Sequence, residues 1–153
     1  MWRSIVPAFV KQLEENGVYY IDNETEMLQL TKTVLNHDMK MVRKMEGKSA
    51  MDILEEAGIH PNRPVRLVVV RTFAKHPLVL EECLMPVVPL VAVADFEEAL
   101  ETALFTEQGY RHTAMVHSQC IDRLSKAAKI MNTTVFIKNG SSLAGIGLNG
   151  EEM

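Results

Sequence analysis

Few residues in this sequence have the type and setting to do chemistry. Cys83 and Cys120 are its only thiols. Cys120 stands two residues after Ser118, expected just inside a helix capped by that serine, where the helix dipole favours a thiolate. It is also flanked by Ile121 and Leu124 on the predicted core face, and cysteine is among the residues most often buried. Packing is the first reading of Cys120, and the nucleophile of a small unrelated enzyme is an alternative. Cys83 reads as packing. Glu81 and Glu82 sit side by side before the apolar turn Cys83-Leu84-Met85-Pro86, where a solvated helix end is the ordinary reading of two carboxylates. His112 and His117 bracket a short apolar run. His117 lies at its carboxyl end, the edge where open α/β sheets bind ligands, and is the better functional candidate of the two, with a hydrogen-bonded structural histidine as its first reading. His37, His60 and His76 have no second histidine or carboxylate at a ligand spacing, so no metal site is expected. Gly145-Ile146-Gly147-Leu148-Asn149-Gly150 spells G-x-G-x-x-G, a fingerprint that needs a strand just before it and a helix opening after it. Ile137 is eight positions upstream and three residues follow Gly150, so the string is expected to be loop.

The elements that would hold these residues follow from periodicity. Ile5, Val6, Phe9, Val10 and Leu13 recur at helical spacing, and Gly17 stops that helix. Val18 to Ile21 reads as a strand. Asn23 and Glu26 form a possible capping box for a helix through Leu35, and Ser49 caps a short helix that Gly58 closes. Asn36 to Lys48, polar and Met-rich, reads as irregular or a loose helix. From Arg66 onward four β-branched runs appear, Leu67 to Val70, Val87 to Val93, Thr113 to Val116 and Thr134 to Ile137. Helices opened by Asp95 and Ser118 separate the last three. Each return between such strands requires a crossover, so parallel pairing is expected. The fold class is α/β: a mostly parallel sheet with flanking helices in three layers. One domain is expected over 1–153, with a helical lead-in (1–64), an alternating strand and helix core (65–138) and a Gly-rich loop (139–153).

The chain has 153 residues, 47% of them hydrophobic, and a net charge of −4, which leaves no positive surplus for a nucleic-acid partner. No apolar run approaches the ~20 residues of a membrane helix, and the first residues lack a secretory pattern. A cytoplasmic location is expected. The ten methionines read as core filler and loop contacts.

Three motifs in order carry a resemblance: Glu81-Glu82-Cys83-Leu84-Met85-Pro86-Val87-Val88-Pro89, then Arg111-His112-Thr113-Ala114-Met115-Val116-His117-Ser118, then Val135-Phe136-Ile137-Lys138-Asn139-Gly140. Together they resemble the catalytic domain of the CoA-acylating propionaldehyde and acetaldehyde dehydrogenases, especially those of bacterial microcompartments, over nearly the whole chain. The resemblance implies an aldehyde dehydrogenase fold and the oxidation of a short-chain aldehyde to acyl-CoA, with NAD as cofactor and coenzyme A as co-substrate. It implies that Glu82 matches the second glutamate of the Glu-Glu-x-Phe-Gly-Pro type motif and binds the nicotinamide ribose, with Leu84 in place of the aromatic near the nicotinamide. His117, Asn139, Gly140, Ser141 and Ser142 are expected at the aldehyde and acyl pocket, where Ser141 departs from the family's proline. The nucleophilic cysteine of the family lies in an Asn-x-Pro-Cys type segment, expected upstream of Met1 together with most of the NAD-binding domain. The chain alone is therefore expected to be an inactive fragment; a non-catalytic binding or assembly module is the alternative. The resemblance further implies a homo-oligomer paired through the edge strand Thr134, Val135, Phe136 and Ile137, and a possible place in a bacterial microcompartment.

Overall fold

The computed structural model describes residues 1–147. They divide into two compact units that meet in sequence between Asp95 and Phe96.

In the first unit, helix α1 (Val6–Glu15) opens with Pro7 in its first turn and ends where Gly17 takes φ +80°, a conformation costly for a side-chain-bearing residue. Strand β1 (Val18–Ile21) follows, as its apolar run predicts. In helix α2 (Glu24–Val34) the Asn23 side chain accepts from Glu26 N at 2.8 Å. The Glu26 carboxylate accepts from the Tyr19 hydroxyl at 3.2 Å. Asn36 to Lys48 holds a tight turn and a 3-10 turn at Arg43–Met45, which buries Met45 in the core. Helix α3 (Ala50–Glu56) has a full capping box between Ser49 and Asp52, which holds the Asp52 carboxyl below its ordinary range. Strand β2 (Leu67–Thr72), helix α4 (Pro77–Leu80) and strand β3 (Val87–Val91) complete the unit.

The strands form a parallel sheet in the order β1-β2-β3, so β1, within the helical lead-in, is a full sheet member. Met1 to Arg3 runs along the continuation of β3, with Val93 N donating to Met1 O and Arg3 N to Val93 O, both at 2.9 Å. Because strand side chains alternate, the sheet buries two faces. Ile21, Val68, Val70 and Val87 pack with Leu30, Val34, Ile53 and Leu54 of α2 and α3. Val18, Val69 and Leu90 pack with Val6 of α1 on the other face. Helix, sheet and helix make three layers within this unit.

The second unit holds helix α5 (Phe96–Glu107), strand β4 (Thr113–Val116), helix α6 (Ile121–Ile130), strand β5 (Val135–Lys138) and a 3-10 turn at Ser142–Ile146. Strands β4 and β5 are parallel, with Ala114 opposite Phe136. Ala114, Val116 and Phe136 pack against Leu100, Ala127 and Met131. Val135 and Ile137 meet the 3-10 turn, where a Cβ on Gly145 would stand 3.0 Å from Val135 Cγ1 and 3.3 Å from Ile137 Cδ1.

Mostly parallel strands with flanking helices were expected and are present. Several details differ. Strand β3 closes at Val91 rather than Val93, Asn23 caps α2 without the reciprocal bond of a capping box, and α4 stands where no helix was drawn. Among the described residues the strands make a three-stranded and a two-stranded sheet rather than one continuous sheet. The last strand runs one residue later than predicted. Both the backbone N and the Oγ1 of Thr134 donate to Arg111 O, at 2.9 and 2.8 Å, and hold it at the strand entrance. Cys120 is the N-cap residue of α6 rather than a residue inside the helix, and Ser118 Oγ accepts from Cys120 N at 3.1 Å. Cys120 is half-buried, and Ile121, expected on the core face beside Leu124, is 76% exposed. The tail expected to be loop contains the 3-10 turn capped by Ser141. Leu148 to Gly150, the end of the G-x-G-x-x-G string, lies outside the described residues.

Candidate functional site

Glu81 to Pro86 leads from α4 into β3. Cys83 and Met85 face inward and pack on the core beneath. Between and before them, Glu82 is exposed and Leu84 is 57% exposed. The backbone is held on several sides. Leu84 N donates to Met41 Sδ at 3.3 Å, Gly47 N to Leu84 O at 3.2 Å, and Val68 N to Pro86 O at 2.9 Å. Lys40 Nζ pairs with Glu81 Oε1 at 2.5 Å. The Glu82 carboxylate has no hydrogen-bond or ion-pair partner among the described residues, which leaves its oxygens free to accept. The adjacent glutamates thus divide into one braced against a lysine and one presented to solvent. Burial, reinforced by the nearby Glu81 carboxylate, pushes the Cys83 thiol up and keeps it protonated at neutral pH, the wrong state for a nucleophile.

The start of α4 sets this loop's origin. His76 is 6% exposed, its Nδ1 accepts from Leu78 N at 3.2 Å, and its ring meets Phe73 edge-on at 5.3 Å. Nδ1 must therefore be the unprotonated nitrogen. Burial lowers the His76 pKa and favours that neutral form.

In the second unit the structure brings His117, Ser118, Asn139 and Gly140 together at the carboxyl ends of β4 and β5. Asn139 Oδ1 accepts from Ser118 N at 2.8 Å, and Asn139 Nδ2 donates to Ser118 O at 2.9 Å. Asn139 N donates to Val116 O at 3.0 Å. His117 is exposed, while His112 Nδ1 lies 2.8 Å from Thr113 Oγ1. Ser141 Oγ accepts from Leu143 N at 3.3 Å, so that hydroxyl caps the 3-10 turn; Ser142 is exposed. Sequence reasoning did not find the Asn139 to Ser118 link. The one available signal is that asparagine tolerates the left-handed region, and Asn139 has φ +51°. Among the described residues no group of three His, Cys, Asp or Glu side chains could hold a metal ion. No helix there is long and apolar enough to cross a membrane.

No protein-family model matches the chain. The propanal dehydrogenase (CoA-propanoylating) of Salmonella typhimurium is 39% identical over 150 residues, covering 97% of this chain and 32% of that protein. This chain belongs to the CoA-acylating aldehyde dehydrogenase family. Solved structures agree with that membership. An engineered glycolyl-CoA reductase with bound NADP+ superposes with a TM-score of 0.88 at 36% identity, over 95% of this chain and 33% of that one. A propionaldehyde dehydrogenase from the Clostridium phytofermentans fucose utilisation bacterial microcompartment gives 0.87 at 32% identity, over 97% of this chain and 34% of that one. The chain thus spans about a third of the length of the acylating dehydrogenases it matches.

Proposed function

We propose that this chain supplies part of the active site of an enzyme that converts a short-chain aldehyde and coenzyme A to acyl-CoA with reduction of NAD(P). The observation that carries the reading is the 39% identity to a CoA-propanoylating dehydrogenase across 97% of the chain. The reaction needs a thiolate to attack the aldehyde carbonyl, hydride loss to leave a thioester, and a second thiol to displace the acyl group. When bound, NAD(P) accepts the hydride. The exposed, unpartnered Glu82 carboxylate fits the ribose diol, where an ionised acceptor strengthens each hydrogen bond. Leu84, exposed beside it, offers an apolar surface for the nicotinamide ring.

His117 and the Gly140 to Ser142 segment stand at the sheet edge where α/β proteins bind ligands and are assigned to the acyl pocket. Asn139 belongs to the same pocket as part of its frame. Neither thiol of this chain is assigned as nucleophile; that role belongs to the family's Asn-x-Pro-Cys type segment, which these 153 residues do not contain, so the chain alone is expected to show no turnover. Measurable aldehyde- and CoA-dependent NAD(P) reduction by the chain alone, abolished by Cys120→Ser, would instead make Cys120 the nucleophile. We place the working enzyme in the cytoplasm or a microcompartment, the setting of the Clostridium relative.

A homo-oligomer paired through β5 is part of the same proposal. Among the described residues β5 pairs with β4 alone. Val135 and Asn139 donate toward β4, so the alternate backbone groups of Phe136 and Lys138 point to the open edge. Light scattering at micromolar concentration is expected to show a dimer or larger species that Lys138→Pro reduces. A monomeric native chain would contradict this pairing.

A further inference from the structure

Beyond the last ladder bond, from Asn139 N to Val116 O, the two strands separate and the peptide groups flanking Ser118 need partners. The Asn139 side chain provides both. Its Oδ1 accepts from Ser118 N and its Nδ2 donates to Ser118 O, at 2.8 and 2.9 Å. Since a backbone N–H only donates and a carbonyl only accepts, the amide has one usable orientation, and this is it. Asn139 makes the link from φ +51°, a left-handed conformation that asparagine tolerates better than most side-chain-bearing residues. The link continues: Ser118 Oγ accepts from Cys120 N, the N-cap residue of α6.

We propose that Asn139 is a positioning residue: its side-chain amide clasps Ser118, fixes the exit of β4 against the exit of β5, and so sets where His117 and the start of α6 stand. A pocket-lining asparagine would direct its amide at the substrate, whereas this one engages the backbone. That these exits frame an acyl pocket rests on the function proposed above; the clasp itself stands on the geometry alone. The clasp is therefore tested without turnover, so its failure is distinct from failure of the functional reading.

The test is amide exchange and NMR on the 153-residue chain. The Ser118 amide is expected to be protected in the native chain. Asn139→Gly, which relieves the positive φ but removes the amide, should lower that protection about tenfold or more and alter the His117 ring resonances. Asn139→Asp sharpens the assignment. An ionised carboxylate can still accept from Ser118 N, but it sets its second, negative oxygen against Ser118 O with no proton between them, which opens the clasp. A protonated carboxyl, by contrast, can accept and donate at once. Protection in Asn139→Asp should be weak at neutral pH and recover as acidification protonates that carboxyl, while Asn139→Gly shows no such recovery. A role in strain or packing alone would give no acid recovery. An unprotected Ser118 amide in the native chain, equal protection in Asn139→Gly, or an Asn139→Asp chain indifferent to pH would each overturn the proposal.

Discussion

The loop that presents Glu82 and Leu84 is anchored from beneath, because Cys83 and Met85 press into a core where Ile21, Leu30, Val34, Ile53, Leu54, Val68 and Val70 are wholly buried. The exits of β4 and β5 stand on a smaller core of Leu100, Ala127 and Met131, with 7% and 8% exposure remaining at Leu100 and Met131. There a single side chain, Asn139, joins one exit to the other. Two ways of placing a functional residue are thus present in one chain. In the first, alternation along an extended segment turns one side chain inward and the next outward, and burial of the first fixes the second. In the second, position depends on directional bonds that carry no apolar signature.

Unit by unit, the contrast predicts different sensitivities. The largest effect is expected in the first unit. Leu54, wholly buried, should cost about 2–5 kcal/mol when truncated in Leu54→Ala, read from the urea midpoint of the isolated chain. A loss well below that range would mean that the core beneath the Glu81 to Pro86 loop is less firm than its burial implies.

The next effect separates the two neighbouring carboxylates. In a chimera that carries this chain in place of the matching third of the Salmonella propanal dehydrogenase, Glu82→Gln should weaken NAD(P) use by roughly 1.5–3 kcal/mol, seen first in KM for the cofactor. Glu81→Gln breaks an ion pair with a largely exposed Lys40 and should cost about 0–1 kcal/mol of stability, with cofactor kinetics unchanged. Equal kinetic effects of the two substitutions would erase the distinction between braced and presented glutamate.

The smallest effect is one of pH. The folded chain lowers the His76 pKa through burial, so the stabilisation that neutral His76 provides is whole above its unfolded pKa of about 6.5. It is lost as pH falls through the folded value, because protonated Nδ1 can no longer accept from Leu78 N. The urea midpoint should therefore decline below about pH 6.5, and His76→Asn, which keeps a capping oxygen, should flatten the decline. An unchanged slope in the variant would assign the pH dependence to other groups.

The same contrast explains what could be read from sequence. Strands β1 to β3 were legible because their parallel sheet packs a core on each face and their residues form apolar, largely β-branched runs, whereas β4 was legible as a short apolar run although Thr113 and Met115 stand exposed. The caps at Asn23 and Ser49 were legible because a capping side chain acts within three residues of itself. The span of α4 was not drawn, although Glu81 and Glu82 were read as a helix end, since the four residues Pro77 to Leu80 behind the cap His76 are too short to show a helical period. The ribose-binding role of Glu82 was assigned through family resemblance, whereas the inward pull of Cys83 and Met85 was latent in their alternation with Glu82 and Leu84. The Asn139 clasp had no such pattern, because its partner lies 21 residues away and the bond is made by a residue ordinarily read as loop.

The central claim, that this chain supplies cofactor and acyl-pocket residues to an acylating dehydrogenase, is tested most directly by turnover of that chimera. With propanal, coenzyme A and NAD(P), a chimera shown to be folded by circular dichroism and gel filtration should reduce the cofactor and release propanoyl-CoA, while the isolated chain should do neither. A folded chimera that binds NAD(P) and coenzyme A yet forms no propanoyl-CoA would contradict the account.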